Sequence, residues 1–314
     1  MAGRSGRRLA GDDAPLRCIG DAQWPERGIA RAPLVPPAVR RASVIFDPTL
    51  AGWFVRAAIA DEFAAWRHAA AGWSWLVPPV GAAAAPALHQ RCPPLADFLG
   101  ERWPLTDVRP PASGDATTIA WPITSSWRGV AWLTPGCAPG TDIAMLRQAT
   151  PTLLGILGSG PAATWLTRLA AQSGCAPGDP AVVARLPLPV GGSEHEPAVA
   201  AAAGQLVAIA EARARRIDDG LRQLMRDFAP PGATPDAALR EWWRHDVAGL
   251  LAAMRRRLGG AVPERFITTF AAWHAAEAAA LGELERQQAA VTLALDAAVQ
   301  AWYGEHPPGL AGVL

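Results

Sequence analysis

Between residues 197 and 228 the apolar positions advance in steps of four and three. That spacing places Leu206, Ala210, Ala214, Ile217, Leu221, Leu224 and Phe228 on one helical face. It predicts a long amphipathic helix, with Gly220 costing about 1 kcal/mol relative to alanine and marking a bend. A Pro-Pro-Gly break at 230–232 separates it from a second predicted helix over about 235–258. A third pattern runs from Pro263 to Trp302, with Phe266, Phe270, Trp273, Leu281, Leu284, Val291, Leu295, Val299 and Trp302 in its stripe. Some 40 residues of helix would measure about 60 Å, and helices of that length pack as antiparallel bundles or coiled coils.

The first 190 residues carry shorter signals. Ser43-Val-Ile-Phe-Asp-Pro48 reads as a short buried strand ended by proline, and 50–68 as a helix or mixed segment. One helix is predicted over 94–103, where Leu95, Phe98 and Leu99 share a face. Thr-Thr-Ile-Ala-Trp-Pro-Ile at 117–123 and Gly-Val-Ala-Trp-Leu-Thr at 129–134 predict two strands of a hairpin. Residues 143–171 read as helical, with a turn at 158–161, and 182–190 as an edge strand carrying two prolines. The fold class expected is α+β: a small mixed α/β domain over 42–190, then a long-helix bundle or coiled-coil region over 195–304. Residues 1–41 form an irregular lead-in with eight arginines, and 305–314 a tail.

Composition removes whole classes of chemistry. All 29 basic side chains are arginine, and neither lysine nor asparagine occurs. A P-loop and a Schiff-base enzyme both need lysine, so neither can be built here. The net charge of +1 divides unevenly: residues 1–190 hold 17 Arg against 13 acids, +4, and residues 191–314 hold 12 Arg against 15 acids, −3. That is a mild footprint for nucleic acid, one that a partner's charge would have to supplement. The four cysteines, at 18, 92, 137 and 175, form no C-x-x-C pair, and the six histidines show no metal-ligand spacing, so no metal site is expected. The apolar stretch from Trp73 to Leu88 is broken by Pro78 and Pro79 and is short for a membrane span, and the chain reads as cytoplasmic.

Four segments, read in order, resemble the C-terminal, target-recognition half of Taq-type adenine-specific DNA methyltransferases and their type II restriction-modification relatives. Pro-Pro-Leu-Ala-Asp-Phe-Leu-Gly at 93–100, running on to Arg109, resembles that family's proline-aromatic-leucine helix. Thr-Leu-Leu-Gly-Ile-Leu-Gly-Ser-Gly-Pro-Ala-Ala-Thr-Trp-Leu at 152–166 is similar to its L-L-x-L-L-N-S helix, and Ala-Arg-Leu-Pro-Leu-Pro-Val at 184–190 to its L-P-I-P strand. Leu-Asp-Ala-Ala-Val-Gln-Ala-Trp-Tyr-Gly at 295–304 resembles its terminal tyrosine-glycine helix end. Two departures stand out, since Gly158 replaces the family's asparagine and Glu305 the usual hydrophobic residue.

The 314 residues contain no D/N/S-P-P-aromatic loop and no F-x-G-x-G loop, because every Pro-Pro pair follows Val, Cys, Arg, Ala or His. The resemblance therefore implies a non-catalytic DNA sequence-specificity subunit of a restriction-modification or phage-defence system. It also implies a DNA methyltransferase catalytic subunit as partner, with S-adenosylmethionine bound by that partner and no cofactor in this chain. Double-stranded DNA would meet Arg40, Arg41, Arg109, Ser125, Ser126, Trp127 and Arg128, since arginine reads guanine bidentately and serine contacts bases or phosphates. Leu281, Leu284, Leu295 and Trp302 would form the partner or homodimer contact. A helical adaptor without a nucleic-acid role, favoured by the near-neutral charge, and a degenerate enzyme remain the alternatives.

Overall fold

The computed structural model describes residues 17–22, 25–27, 32–79, 88–100, 105, 114–189, 194–259 and 262–305. The fold is α+β, and the chain packs as two compact units. The first comprises Met1–Ala203 with Leu295–Leu314, and the second Gly204–Ala294. The helical region expected over 195–304 is thus shared, its two ends belonging to the first unit.

In the first unit, β1 (Arg17–Cys18) and α1 (Ile19–Ala22) are followed by β2 (Glu26–Arg27), β3 (Leu34–Val35) and α2 (Pro37–Phe46). Then come β4 (Phe54–Ala58), the hairpin of β5 (Phe63–Ala64) and β6 (Arg67–His68), and β7 (Ser74–Leu76). Next are α3 (Leu88–Arg91), α4 (Pro93–Leu99), β8 (Ile119–Pro122), β9 (Ala131–Trp132), β10 (Ala138–Pro139) and β11 (Ile143–Leu146). Three helices, α5 (Pro151–Gly158), α6 (Gly160–Ser173) and α7 (Pro180–Val183), precede β12 (Pro187–Leu188). One sheet has the order β10-β4-β7-β3 and another β2-β11-β8-β9, while β12 pairs antiparallel with β1.

The expected hairpin is present, with Ile119 opposite Trp132 and Ala120 opposite Ala131. Several segments differ from expectation. Residues 143–146 form a strand rather than the start of a helix; β11 lies between β2 and β8 and is buried throughout, so the alternation that marks a strand is lost. Residues 43–46 end a helix rather than forming a buried strand. Pro37 begins α2 with its φ already helical, the Ser43 hydroxyl donates to Val39 O at 2.7 Å, and Val39 and Val44 pack on the cluster containing Leu95. Ile45 and Phe46 are left exposed. In the segment read as an edge strand, Val182 and Val183 belong to α7, and only Pro187–Leu188 is strand.

The helix α8 (His195–Phe228) leads to α9 (Ala237–Arg240), α10 (Val247–Leu258) and α11 (Ile267–Glu305). The core of the second unit gathers Ile217, Leu221 and Leu224 of α8, Leu250 and Met254 of α10, and Phe270 and Leu281 of α11 around Trp242. The Trp242 ring stacks on Trp273 at 5.2 Å, and its Nε1 donates to Ile217 O at 3.1 Å. It lies where a Cβ on Gly220 would be, so the glycine in α8 is there for close approach of a ring. Among the described residues no helix is long and apolar enough to cross a membrane.

Candidate nucleic-acid interface

The connection between β8 and β9 presents Ser125, Ser126 and Arg128 to solvent, with Trp127 half-buried between them. Its backbone is tied on every side. Ile123 N donates to Asp142 O at 2.7 Å, and the Thr124 hydroxyl to Ser126 O at 2.6 Å. Trp127 Nε1 donates to Leu157 O at 3.2 Å, and its ring leans on Trp121, whose own Nε1 donates to Gly178 O at 2.9 Å. At the far end, Trp66 N donates to Val130 O at 3.1 Å. The Ser125, Ser126 and Arg128 side chains have no hydrogen-bond or ion-pair partner among the described residues. A held backbone with uncommitted polar side chains suits recognition, because little ordering entropy remains to be lost on binding.

Trp66 is the support that sequence reading missed. It sits in the β5–β6 turn at φ +69°, a conformation costing about 1–3 kcal/mol for a bulky residue. Its buried ring fills the notch above Gly158, where any Cβ would collide with Cζ2, Cζ3 and Cη2. Glycine at 158, in place of the asparagine of the resembled motif, makes room for this ring.

The Gly-Ser-Gly run at 158–160 is fully engaged. Ser159 caps α6 by accepting from Ala162 N, and the Asp296 carboxylate accepts from Gly160 N at 2.8 Å. An anion already occupies this helix N-terminus, so a phosphate has no place there. Tyr303 Oη donates to Pro187 O at 2.6 Å. Three of the four resembling segments, 152–166, 184–190 and 295–304, are therefore joined by two hydrogen bonds.

Burial holds the Tyr303 phenol protonated well above its ordinary pKa of 10.0, with Cys18 adding to the shift. The folded state keeps this proton where the unfolded chain loses it. The contribution to stability is thus complete below pH 10.0 and is lost as pH rises beyond it, by up to about 1.4 kcal/mol per pH unit. Denaturant titrations at pH 9 and above should show this alkaline loss in the native chain and not in Tyr303→Phe. At neutral pH that variant should be less stable by about 1–3 kcal/mol, because Pro187 O loses its donor.

No family model matches this chain, and no curated protein matches it. Among solved structures it is similar to the type IIL restriction-modification enzyme MmeI in complex with DNA, at 15% identity and a TM-score of 0.41. The match covers 88% of this chain and 38% of that one, and a likeness at this level carries no functional argument.

Arg40 and Arg41 are exposed on α2, and Arg109 lies outside the described residues. On the helical side, Leu281 is buried in the second unit's core, and Leu295 and Trp302 are buried in the first unit. Three of the four positions expected to dock a partner are occupied by the chain's own packing, and only Leu284 is half-exposed.

Glu62 and His68 form a further buried polar pair. Thr134 N donates to His68 Nδ1 at 3.1 Å, which assigns the ring proton to Nε2, 3.2 Å from Glu62 Oε2. Glu62 also accepts from Ala71 N at 2.7 Å. Every partner is backbone, threonine or the pair itself, so the cluster fastens the β5–β6 hairpin to the strand exit at Thr134.

Proposed function

We propose that this chain is the DNA sequence-recognition part of a restriction-modification or phage-defence methyltransferase system, non-catalytic by itself. Its partner would be a methyltransferase catalytic subunit that binds S-adenosylmethionine. The observation that supports this reading is the anchored connection between β8 and β9, which offers two serine hydroxyls and the Arg128 guanidinium from a fixed backbone. Arg128 would read a base edge, and Arg40 and Arg41 would meet phosphates.

Selection from a random duplex pool by the assembled complex, followed by anisotropy titrations at several salt concentrations, tests it. Arg128→Ala should narrow the preference for the selected site by about 1–3 kcal/mol. Arg40→Ala and Arg41→Ala should weaken all duplexes alike and flatten the salt dependence. Equal affinity for random and selected duplexes would overturn the proposal. The adaptor reading, supported by the net charge of +1, would then stand.

A further inference from the structure

The second unit carries a groove that its own packing leaves uncovered. Two adjoining cavities, of about 620 and 310 Å³, share Gln223 and Trp273 and run along one side of the α8–α11 pair. On α11 the lining positions 270, 273, 277, 280 and 284 advance in steps of three and four and form a seam about 21 Å long, with 269 and 283 beside it. Such a seam accepts another helix. Phe270 and Trp273 lie toward one end, with Phe266, about half exposed, just beyond them, and half-exposed Leu284 is at the other end.

The walls differ in charge. Arg215 and Arg216 come from α8, with Asp219 beside them, whereas Glu277 and Glu283 come from α11. Arg216 and Glu277 satisfy each other at 2.9 Å, Asp219 is held by Arg222, and Glu283 holds Arg286 and Gln287. Arg215 is exposed and has no partner among the described residues. The Arg213–Glu285 ion pair, at 2.7 Å, sets residues 213 and 285 level across the antiparallel helices. Two steps along each, Arg215 and Glu283 are level as well.

We propose that this groove is closed by a second copy of the chain, about a two-fold axis running along it. Such an axis preserves level and exchanges the walls. Each α8 therefore lies over the other copy's α11, and Arg215 of one protomer meets Glu283 of the other, twice per dimer. A two-fold across the groove would instead set arginine wall against arginine wall, which like-charge repulsion disfavours. Leu284, Trp273 and Phe266 supply the apolar surface that becomes buried. The proposal is independent of DNA binding.

Sedimentation equilibrium of the full chain without DNA, from low micromolar to submillimolar concentration, tests it. The native chain should dimerise. Arg215→Glu and Glu283→Arg should each weaken association by about tenfold or more, and the double reversal should restore it. Both side chains are exposed, and unchanged far-ultraviolet circular dichroism would show that the helices persist. Dimers indifferent to the single reversals, or a double variant no better than the singles, would overturn the proposal. So would a folded monomer throughout, which would leave the groove to a helix of another protein.

Discussion

Trp242→Ala should lower the free energy of unfolding by about 3–5 kcal/mol, the range for removing a fully buried large aromatic. The ring is 0% exposed, stacks on Trp273, meets Trp243 and His274 edge-on, and fills the notch at Gly220. Its loss would leave a cavity between α8 and α11 and strand Ile217 O without the indole donor. Trp242→Phe keeps an aromatic ring while discarding the N–H and part of the indole's bulk, so it should cost less than the alanine variant. The companion substitution Gly220→Ala separates propensity from packing. In an open helix it would stabilise by about 1 kcal/mol. Here the new methyl group collides with Cζ2, Cε2 and Cη2 of Trp242, and a net loss of about 1–3 kcal/mol is expected. Denaturant titrations followed by circular dichroism measure both, and a stabilised Gly220→Ala would contradict the packing described.

Restoring the asparagine of the resembled motif should damage this chain. Gly158→Asn drives a Cβ into the Trp66 ring, and a cost of at least about 2 kcal/mol is expected. In a Trp66→Gly background the notch is empty and the turn at 66 no longer holds a bulky residue at φ +69°, so the same asparagine should cost little. The double-mutant cycle should therefore give a coupling near the top of the usual range of about 0.5–3 kcal/mol. Additive effects of the two substitutions would show that the ring and the glycine do not depend on each other. The backbone N–H of residue 66, which donates to Val130 O, is retained in Trp66→Gly, so the cycle isolates the ring from this tie.

The long helices could be read directly because their apolar stripes recur locally over 34 and 39 residues, and the β8–β9 hairpin because its two runs flank a short polar connection. Residues 143–146 could not. A four-residue apolar run buried on both sides has no period, and only pairing with β2 and β8 makes it a strand. The polar tip of the candidate interface, Ser125 to Arg128, was visible in composition. Its supports were not, since Leu157 comes from 30 residues beyond Trp127 and Trp66 from another sheet element altogether. Asp296 and Tyr303 reach partners 136 and 116 residues away, which no local pattern encodes. The helical stripe showed which residues are apolar, but not that Leu281, Leu295 and Trp302 are covered by this chain's own core.

Four indole N–H groups, those of Trp75, Trp121, Trp127 and Trp242, donate to backbone carbonyls 63, 57, 30 and 25 residues away. In kinetic terms each is a non-local closure that forms only after distant stretches have met, so these rungs raise contact order and slow the search for the native state. The same property acts on the reverse path. A rung absent from the transition state for folding stabilises the folded side of the barrier alone, and so its whole equilibrium worth appears as slower unfolding. A chain without lysine or asparagine thus draws persistence in the folded state from its tryptophans.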